Sequence, residues 1–77
     1  MKVRYIGPSF GVDGLTNGKV YTCLGVEYGA LRVVDDSDED YLYSALRPGP
    51  AYQTDIYGKW EIIEDDNKGT LYNLICG

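Results

Sequence analysis

The stretch that decides the fold of this 77-residue chain is Asn17-Gly-Lys-Val-Tyr-Thr-Cys-Leu-Gly-Val-Glu27. Asn-Gly is a strong turn signal, because both residues adopt positive φ at little cost. The turn opens residues 19–27, the longest strand candidate, and Gly25 within it predicts a bulge or a sharp bend where a sheet turns a corner. The apolar residues of the stretch do not keep one parity, so the pattern leaves open which of them face the core.

Four further strands are predicted around this bent one, at residues 2–6, 30–34, 41–45 and 60–64. An acidic turn at 35–40 makes the second and third of them a hairpin. No window places apolar residues at helical spacing over the three turns that a helix needs, so only residues 46–49 are expected to hold even a single turn. Residues 71–75 are expected to add a short sixth strand or a docked tail.

The chain is expected to be one domain, residues 1–77, because a second core has no room to form. Five short strands, a long first loop and a bent second strand predict an all-β fold, a small, highly curved and partly open barrel. Closing a sheet in this way removes most of the strand edges that invite aggregation.

Three segments resemble a group of small proteins of Gram-positive bacteria and their phages: Leu15-Thr-Asn-Gly-Lys-Val-Tyr21, Asp40-Tyr-Leu-Tyr-Ser44 and Gly58-Lys-Trp-Glu-Ile-Ile-Glu-Asp65. The resemblance spans residues 2–66 and implies a Src-homology-3-like (SH3-like) barrel without an assigned biochemical activity. Signalling SH3 domains bind proline-rich peptides through a groove that includes a tryptophan after the second loop. Here the only tryptophan, Trp60, lies in the last strand, so polyproline binding is not implied.

Charge and composition exclude several classes of function. A net charge of −5 repels phosphate backbones and anionic lipid, and the basic residues are scattered singly, so we expect no direct nucleic-acid binding and no membrane partner. No apolar run is long enough for a membrane span and no signal peptide is visible, which predicts a cytoplasmic protein. The chain has no histidine, the commonest general base, so we expect neither an enzyme nor a cofactor.

Two arrangements with potential metal chemistry fail on spacing. Cys23 and Cys76 lie far apart without a CxxC pattern, which favours two thiols and leaves a bridge between them open. Asp36, Asp38 and Asp40 have the spacing that opens a calcium loop, but tyrosine and arginine occupy the positions that require glycine and glutamate. We therefore expect no metal site, and a solvated hairpin tip at residues 35–40.

Eight tyrosines are more than a core of this size hides, because each buried hydroxyl needs a partner. Either Trp60 and two or three tyrosines fill the barrel, or some aromatic residues form a recognition patch, since tyrosine and tryptophan dominate binding hot spots. The candidates for that patch are Tyr41, Tyr43, Tyr52, Tyr57 and Trp60. Of these, Trp60 has the strongest claim to a place in the core. The sequence thus predicts a monomeric, non-enzymatic module that binds a protein.

An acidic mimic is the alternative function. In that interpretation a phage-type protein imitates the phosphates of a nucleic acid and occupies a DNA-binding protein. Its carboxylates would come from residues 64–66 and from Asp35, Asp36, Asp38, Glu39 and Asp40. Binding through such a surface weakens steeply with salt, whereas binding through aromatic residues is nearly independent of salt.

Overall fold

Five antiparallel strands form one open sheet in the computed structural model, which describes residues 1–10, 14–50 and 55–77. The strands are β1 (Lys2–Ile6), β2 (Val20–Glu27), β3 (Ala30–Val34), β4 (Asp40–Ser44) and β5 (Lys59–Glu64). Their order across the sheet is β4-β3-β2-β1-β5, which makes β4 and β5 the two edges. The predicted all-β fold is confirmed, and the predicted bounds of each strand lie within one residue of those observed.

The core lies on one face of the sheet. In β1 and β3 every second residue is buried, which places Val3, Tyr5, Leu31 and Val33 inside. This follows from strand geometry, because successive side chains point to opposite faces. Residues from outside the strands complete the core, among them Leu15.

A bulge in β2 explains the broken parity of its apolar residues. Cys23 lies opposite Val33, but Gly25 lies opposite Arg32, so the register shifts by one residue between them. Cys23 is buried before the shift, and Val26 packs against the core after it. The extra residue of a bulge moves all later side chains to the opposite parity. The bulge predicted at Gly25 is therefore confirmed.

The C-terminal segment corrects one prediction. Residues Thr70–Ile75 form a short helix, α1, and not a strand, whereas residues 46–49, the predicted single turn, are not helical. The tail does dock, as expected, because Leu71 is fully buried and Leu74 and Ile75 pack against the core. A six-residue helix is too short to show a repeating apolar pattern, so the sequence could not reveal it by periodicity.

Two aspartates cap this helix from the preceding turn. The backbone N–H groups of Leu71 and Tyr72 donate to the carboxylate of Asp65, at 2.9 and 3.0 Å, and that of Thr70 donates to Asp66 at 2.9 Å. The first N–H groups of a helix have no partner within it, so these bonds stabilise its start. Partial desolvation raises the pKa of Asp65, but the backbone donors outweigh it and leave the pKa below the ordinary value.

Both cysteines are free, Cys23 in the core and Cys76 on the surface, which resolves the alternative that the sequence left open. In residues 1–10, 14–50 and 55–77 no helix is long and apolar enough to cross a membrane.

Candidate functional site

Four aromatic rings contact one another in a closed circuit at the centre of the fold. The ring centroids of Tyr5 lie 6.1 Å from Phe10 and 5.7 Å from Trp60, and Tyr43 lies 6.4 Å from both Phe10 and Trp60. Tyr5 is fully buried and Trp60 is 5% exposed. Trp60 therefore belongs to the core and is not part of an exposed patch, in which it was one of the candidates.

Tyr41 and Tyr43 share one face of β4, as their spacing predicts, but it is the face toward the core. They lie opposite Val33 and Leu31, which are both buried. Tyr43 is half-buried and packs against the core, whereas Tyr41 is 49% exposed at the rim and its hydroxyl donates to Glu39 at 2.9 Å. Tyr43 thus contributes more to packing than to the surface.

Asp35 corrects the prediction of a fully solvated hairpin tip. Its side chain is buried, and the Tyr43 hydroxyl donates to its Oδ2 atom at 2.7 Å. The backbone N–H and the hydroxyl of Ser37 donate to its other oxygen. Burial, followed by the hydrogen bond to Asp35, raises the pKa of Tyr43. Asp35 therefore holds the β3–β4 turn together and is not displayed to a partner.

Asp36 fastens the same turn to the loop before β2. Its carboxylate accepts hydrogen bonds from Lys19 Nζ at 2.6 Å, the Thr16 hydroxyl at 2.8 Å and the Tyr21 hydroxyl at 3.0 Å. Desolvation raises the pKa of Asp36, but these donors outweigh it and lower the pKa below its ordinary value. The charge of Asp36 is thus compensated within the molecule.

The rest of the candidate acidic patch is exposed. Asp38, Glu39 and Asp40 lie on the surface, and Asp40 pairs with Arg32 at 2.9 Å. Of the five predicted residues, these three are exposed, whereas Asp35 is buried and Asp36 is largely buried. Within the part of the chain that the structure describes, no group of three or more histidine, cysteine, aspartate or glutamate side chains could hold a metal ion.

A second exposed surface is formed by Leu46, Arg47 and Tyr57, and we call it the Arg47–Tyr57 surface. The guanidinium carbon of Arg47 lies 5.4 Å from the centroid of the Tyr57 ring, a cation–π geometry. Tyr57 is 47% exposed and Leu46 is 63% exposed. Tyr57, one of the candidates for an aromatic patch, is thus exposed, whereas Tyr52 lies outside the described residues.

The backbone holds this surface in place. The hydroxyl of Ser44 accepts hydrogen bonds from the N–H groups of Leu46 and Arg47, at 3.3 and 3.0 Å. Further on, the N–H of Gly58 donates to the carbonyl of Pro48 at 2.8 Å. The chain segments that carry Arg47 and Tyr57 are thereby fastened to each other, so the stacking follows from the path of the main chain.

Arg47 and Leu46 were not among the residues predicted from the sequence. The available signal was their position, directly before a connection rich in proline and glycine that also carries Tyr57. Among the described residues Arg4, Lys19 and Arg32 pair with carboxylates, whereas Arg47 has no carboxylate within ion-pair distance. Its exposed guanidinium therefore has donors to offer to another molecule.

Comparison with known proteins gives no relative from which a function could be transferred. No family model matches the chain, and neither does any curated protein or solved structure. The resemblance to small SH3-like proteins stays a prediction, and the function has to be argued from the geometry of the two exposed surfaces.

Proposed function

We propose that this chain is a small, non-enzymatic protein-binding module that contacts its partner through the Arg47–Tyr57 surface. The observation that carries the proposal is the position of the Arg47 guanidinium over the exposed ring of Tyr57, with exposed Leu46 next to Arg47 in the chain. Tyrosine and arginine are enriched among the residues that dominate binding energy. A stacked guanidinium also loses less rotational freedom when it binds, which favours affinity.

The chemistry of the remaining residues supports a role in binding more than in catalysis. The chain has no histidine, and the buried carboxylate of Asp35 accepts hydrogen bonds from Tyr43 and Ser37. A general acid or base needs an accessible group whose pKa lies near neutral pH. The shift at Tyr43 runs in the opposite direction, away from neutrality.

The test is affinity capture followed by titration of the captured partner in purified form. Tyr57→Ala and Arg47→Ala should each raise the dissociation constant about 30-fold, which corresponds to a loss of about 2 kcal/mol of binding free energy at a hot spot. Arg47→Lys keeps the charge but loses the planar group, and it should also weaken binding. The melting temperature of all three variants should stay near that of the wild type.

Tyr72→Ala is the matched control, because Tyr72 is a comparably exposed tyrosine, 59% accessible, on α1. It should leave the dissociation constant unchanged. If Tyr57→Ala binds as well as the wild type, or Tyr72→Ala loses as much affinity as Tyr57→Ala, the partner does not use the Arg47–Tyr57 surface.

The acidic mimic is the second candidate, and the exposed carboxylates of Asp38, Glu39 and Asp40 favour it. The geometry supports it less, because Asp35 is buried, Asp36 is compensated by Lys19, and Asp65 caps a helix. Salt separates the two functions in the same titration. Between about 50 and 200 mM salt, affinity through charge mimicry should fall steeply, whereas affinity through the Arg47–Tyr57 surface should change little.

A further inference from the structure

Strand β4 presents an open edge whose free backbone groups can be identified from the register. Among the strands that the structure describes, β4 pairs with β3 alone. The N–H of Asp35 donates to the carbonyl of Glu39, and that of Ala45 donates to Gly29, at opposite ends of the hairpin. In an antiparallel pair, hydrogen-bonded and non-hydrogen-bonded positions alternate. Tyr41 and Tyr43 therefore bond to β3, and the backbone groups of Asp40, Leu42 and Ser44 point away from it.

One contact on this edge supports the assignment independently. The carbonyl of Ser44 accepts a hydrogen bond from the indole of Trp60 at 3.0 Å, so it does point away from β3. Among the described residues the N–H and the carbonyl of Leu42 have no backbone hydrogen bond outside the strands, and the alternation leaves both groups unused by β3. Together with the carbonyl of Asp40 and the N–H of Ser44, these groups form a short row of donors and acceptors.

The edge is accessible, and its two faces differ in chemistry. Tyr41 is 49% and Leu42 is 42% exposed. The outer face carries Asp40, which pairs with Arg32, followed by Leu42 and Ser44, and exposed Asp38 and Glu39 lie in the turn directly before it. The inner face carries the rings of Tyr41 and Tyr43. A strand laid along β4 would therefore meet carboxylates at the end of the outer face next to the turn, and aromatic surface on the inner face.

We propose that the β4 edge binds an extended segment of a partner protein as an added strand, with basic residues alternating with apolar ones. Main-chain hydrogen bonds to Leu42 would supply affinity, and alternate side chains would supply specificity, as in other cases of strand addition. Basic side chains would lie beside Asp38, Glu39 and Asp40, and apolar ones beside Tyr41 and Tyr43. The charge of −5 on the whole chain favours a basic partner segment over an acidic one.

This inference rests on the proposed role as a protein-binding module, but it uses a different surface. If no strand adds to β4 but capture of a partner still depends on Tyr57, only the proposal for the β4 edge fails. If a strand adds to β4 but capture does not depend on Tyr57, only the proposal for the Arg47–Tyr57 surface fails.

The probe is a capped synthetic peptide in which lysine alternates with valine, added to isotope-labelled protein and followed by amide hydrogen exchange. In the free protein the amide of Leu42 should exchange fast, while those of Tyr41 and Tyr43 are already protected by β3. Saturating peptide should slow exchange at Leu42 about tenfold or more. A peptide with glutamate in place of lysine should produce no such change.

Two further peptides separate strand addition from attraction between charges. In one, the backbone nitrogens of the lysines are methylated; in the other, those of the valines. Both keep the full charge, but each can pair through one edge only. One of the two should bind like the parent peptide, and the other should bind about 30-fold more weakly because it loses hydrogen bonds to β4.

Leu42→Pro is the matching change in the protein, because it removes an N–H that β3 does not use, and edge strands tolerate proline. It should abolish peptide binding, whereas Leu42→Thr, which keeps the N–H, should retain it. Should Leu42→Pro fail to fold, Asp38→Asn combined with Glu39→Gln provides the second variant. That variant should weaken binding and reduce its dependence on salt.

The proposal is overturned if both methylated peptides bind equally, if the protected amides lie away from β4, or if millimolar peptide leaves Leu42 unprotected. It is also overturned if Leu42 becomes protected as the concentration of the protein alone increases. In that case the edge pairs with a second copy of the chain.

Discussion

The indole nitrogen of Trp60 donates a 3.0 Å hydrogen bond to the carbonyl oxygen of Ser44 and so joins β5 to β4, the two edge strands of the sheet. The two strands are not neighbours in the sheet, so this bond brings together opposite ends of a curled structure. The hydroxyl of the same Ser44 accepts from the N–H groups of Leu46 and Arg47. The core and the Arg47–Tyr57 surface therefore share one anchoring residue.

Trp60→Phe should lower the free energy of unfolding by about 1–3 kcal/mol, because it keeps a ring in the core but leaves the Ser44 carbonyl without this donor. Trp60→Ala should cost about 3–5 kcal/mol, since it also leaves a cavity. Urea unfolding followed by circular dichroism measures both. Equal stability of Trp60→Phe and the wild type would show that the bond does not hold the edges together.

Tyr43→Phe should cost about 1–3 kcal/mol, because buried Asp35 loses a donor. The raised pKa of Tyr43 also predicts a pH dependence. The folded protein holds the proton of the Tyr43 hydroxyl more tightly than the unfolded chain does. The stability that this protonated hydroxyl contributes is therefore present below about pH 10 and is lost as pH rises above that value. The free energy of unfolding, measured from neutral to alkaline pH, should fall less steeply for Tyr43→Phe than for the wild type. Tyr72→Phe, on the exposed face of α1, should behave like the wild type.

Asp65→Ala should destabilise the protein by about 1 kcal/mol, because the N–H groups of Leu71 and Tyr72 lose their acceptor. The lowered pKa of Asp65 gives the sign of the acid response. The stabilisation is present above the ordinary aspartate value of about 3.9 and is lost as pH falls below it. Melting temperatures recorded from neutral to acid pH should decline less for the variant. Asp55→Ala, at an exposed position in a turn, is the control and should reproduce the wild-type curve.

Gly58→Ala should lower the free energy of unfolding by about 1–3 kcal/mol, because a Cβ atom would lie 2.2 Å from the carbonyl oxygen of Ile6. Gly25→Ala is the matched control, since no atom lies within 4 Å of the corresponding position. It should change stability by less than about 0.5 kcal/mol. Chemical denaturation of the two variants measures this difference in stability. A Gly58→Ala protein as stable as Gly25→Ala would contradict the close approach of Gly58 to Ile6.

Tyr28→Asn should raise the stability by about 0.5–1 kcal/mol. Tyr28 and Gly29 form the two-residue turn between β2 and β3, with φ of 53° and 75°. Turns with two positive φ angles favour Asn-Gly, and a tyrosine that is 98% exposed has no packing to offset its strain. An unchanged or lower melting temperature would show that the ring of Tyr28 stabilises the turn in another way.

Local chemistry made most of the sheet predictable. The Asn17-Gly18 turn, the bulge at Gly25 and the acidic turn between β3 and β4 depend on the conformational preferences of a few neighbouring residues. Such preferences act before any tertiary contact forms, so the five strands could be placed within one residue. The position of Trp60 in the last strand also placed it first among the candidates for the core, where it lies.

Contacts between distant residues determined the rest. Helix α1 depends on the docking of Leu71 in the core, because six residues are too few to form a helix alone, even with the local caps from Asp65 and Asp66. Asp35 is buried because Tyr43 from the next strand donates to it, whereas its sequence neighbours predict solvent. Arg47 meets Tyr57 because the main chain folds back between Pro48 and Gly58.

By itself the sequence determined where the chain turns and which strands it forms, since those choices are local. Only the tertiary structure decided which carboxylates remain exposed and which arginine stacks on a tyrosine, because both depend on partners that lie close in space and not in sequence.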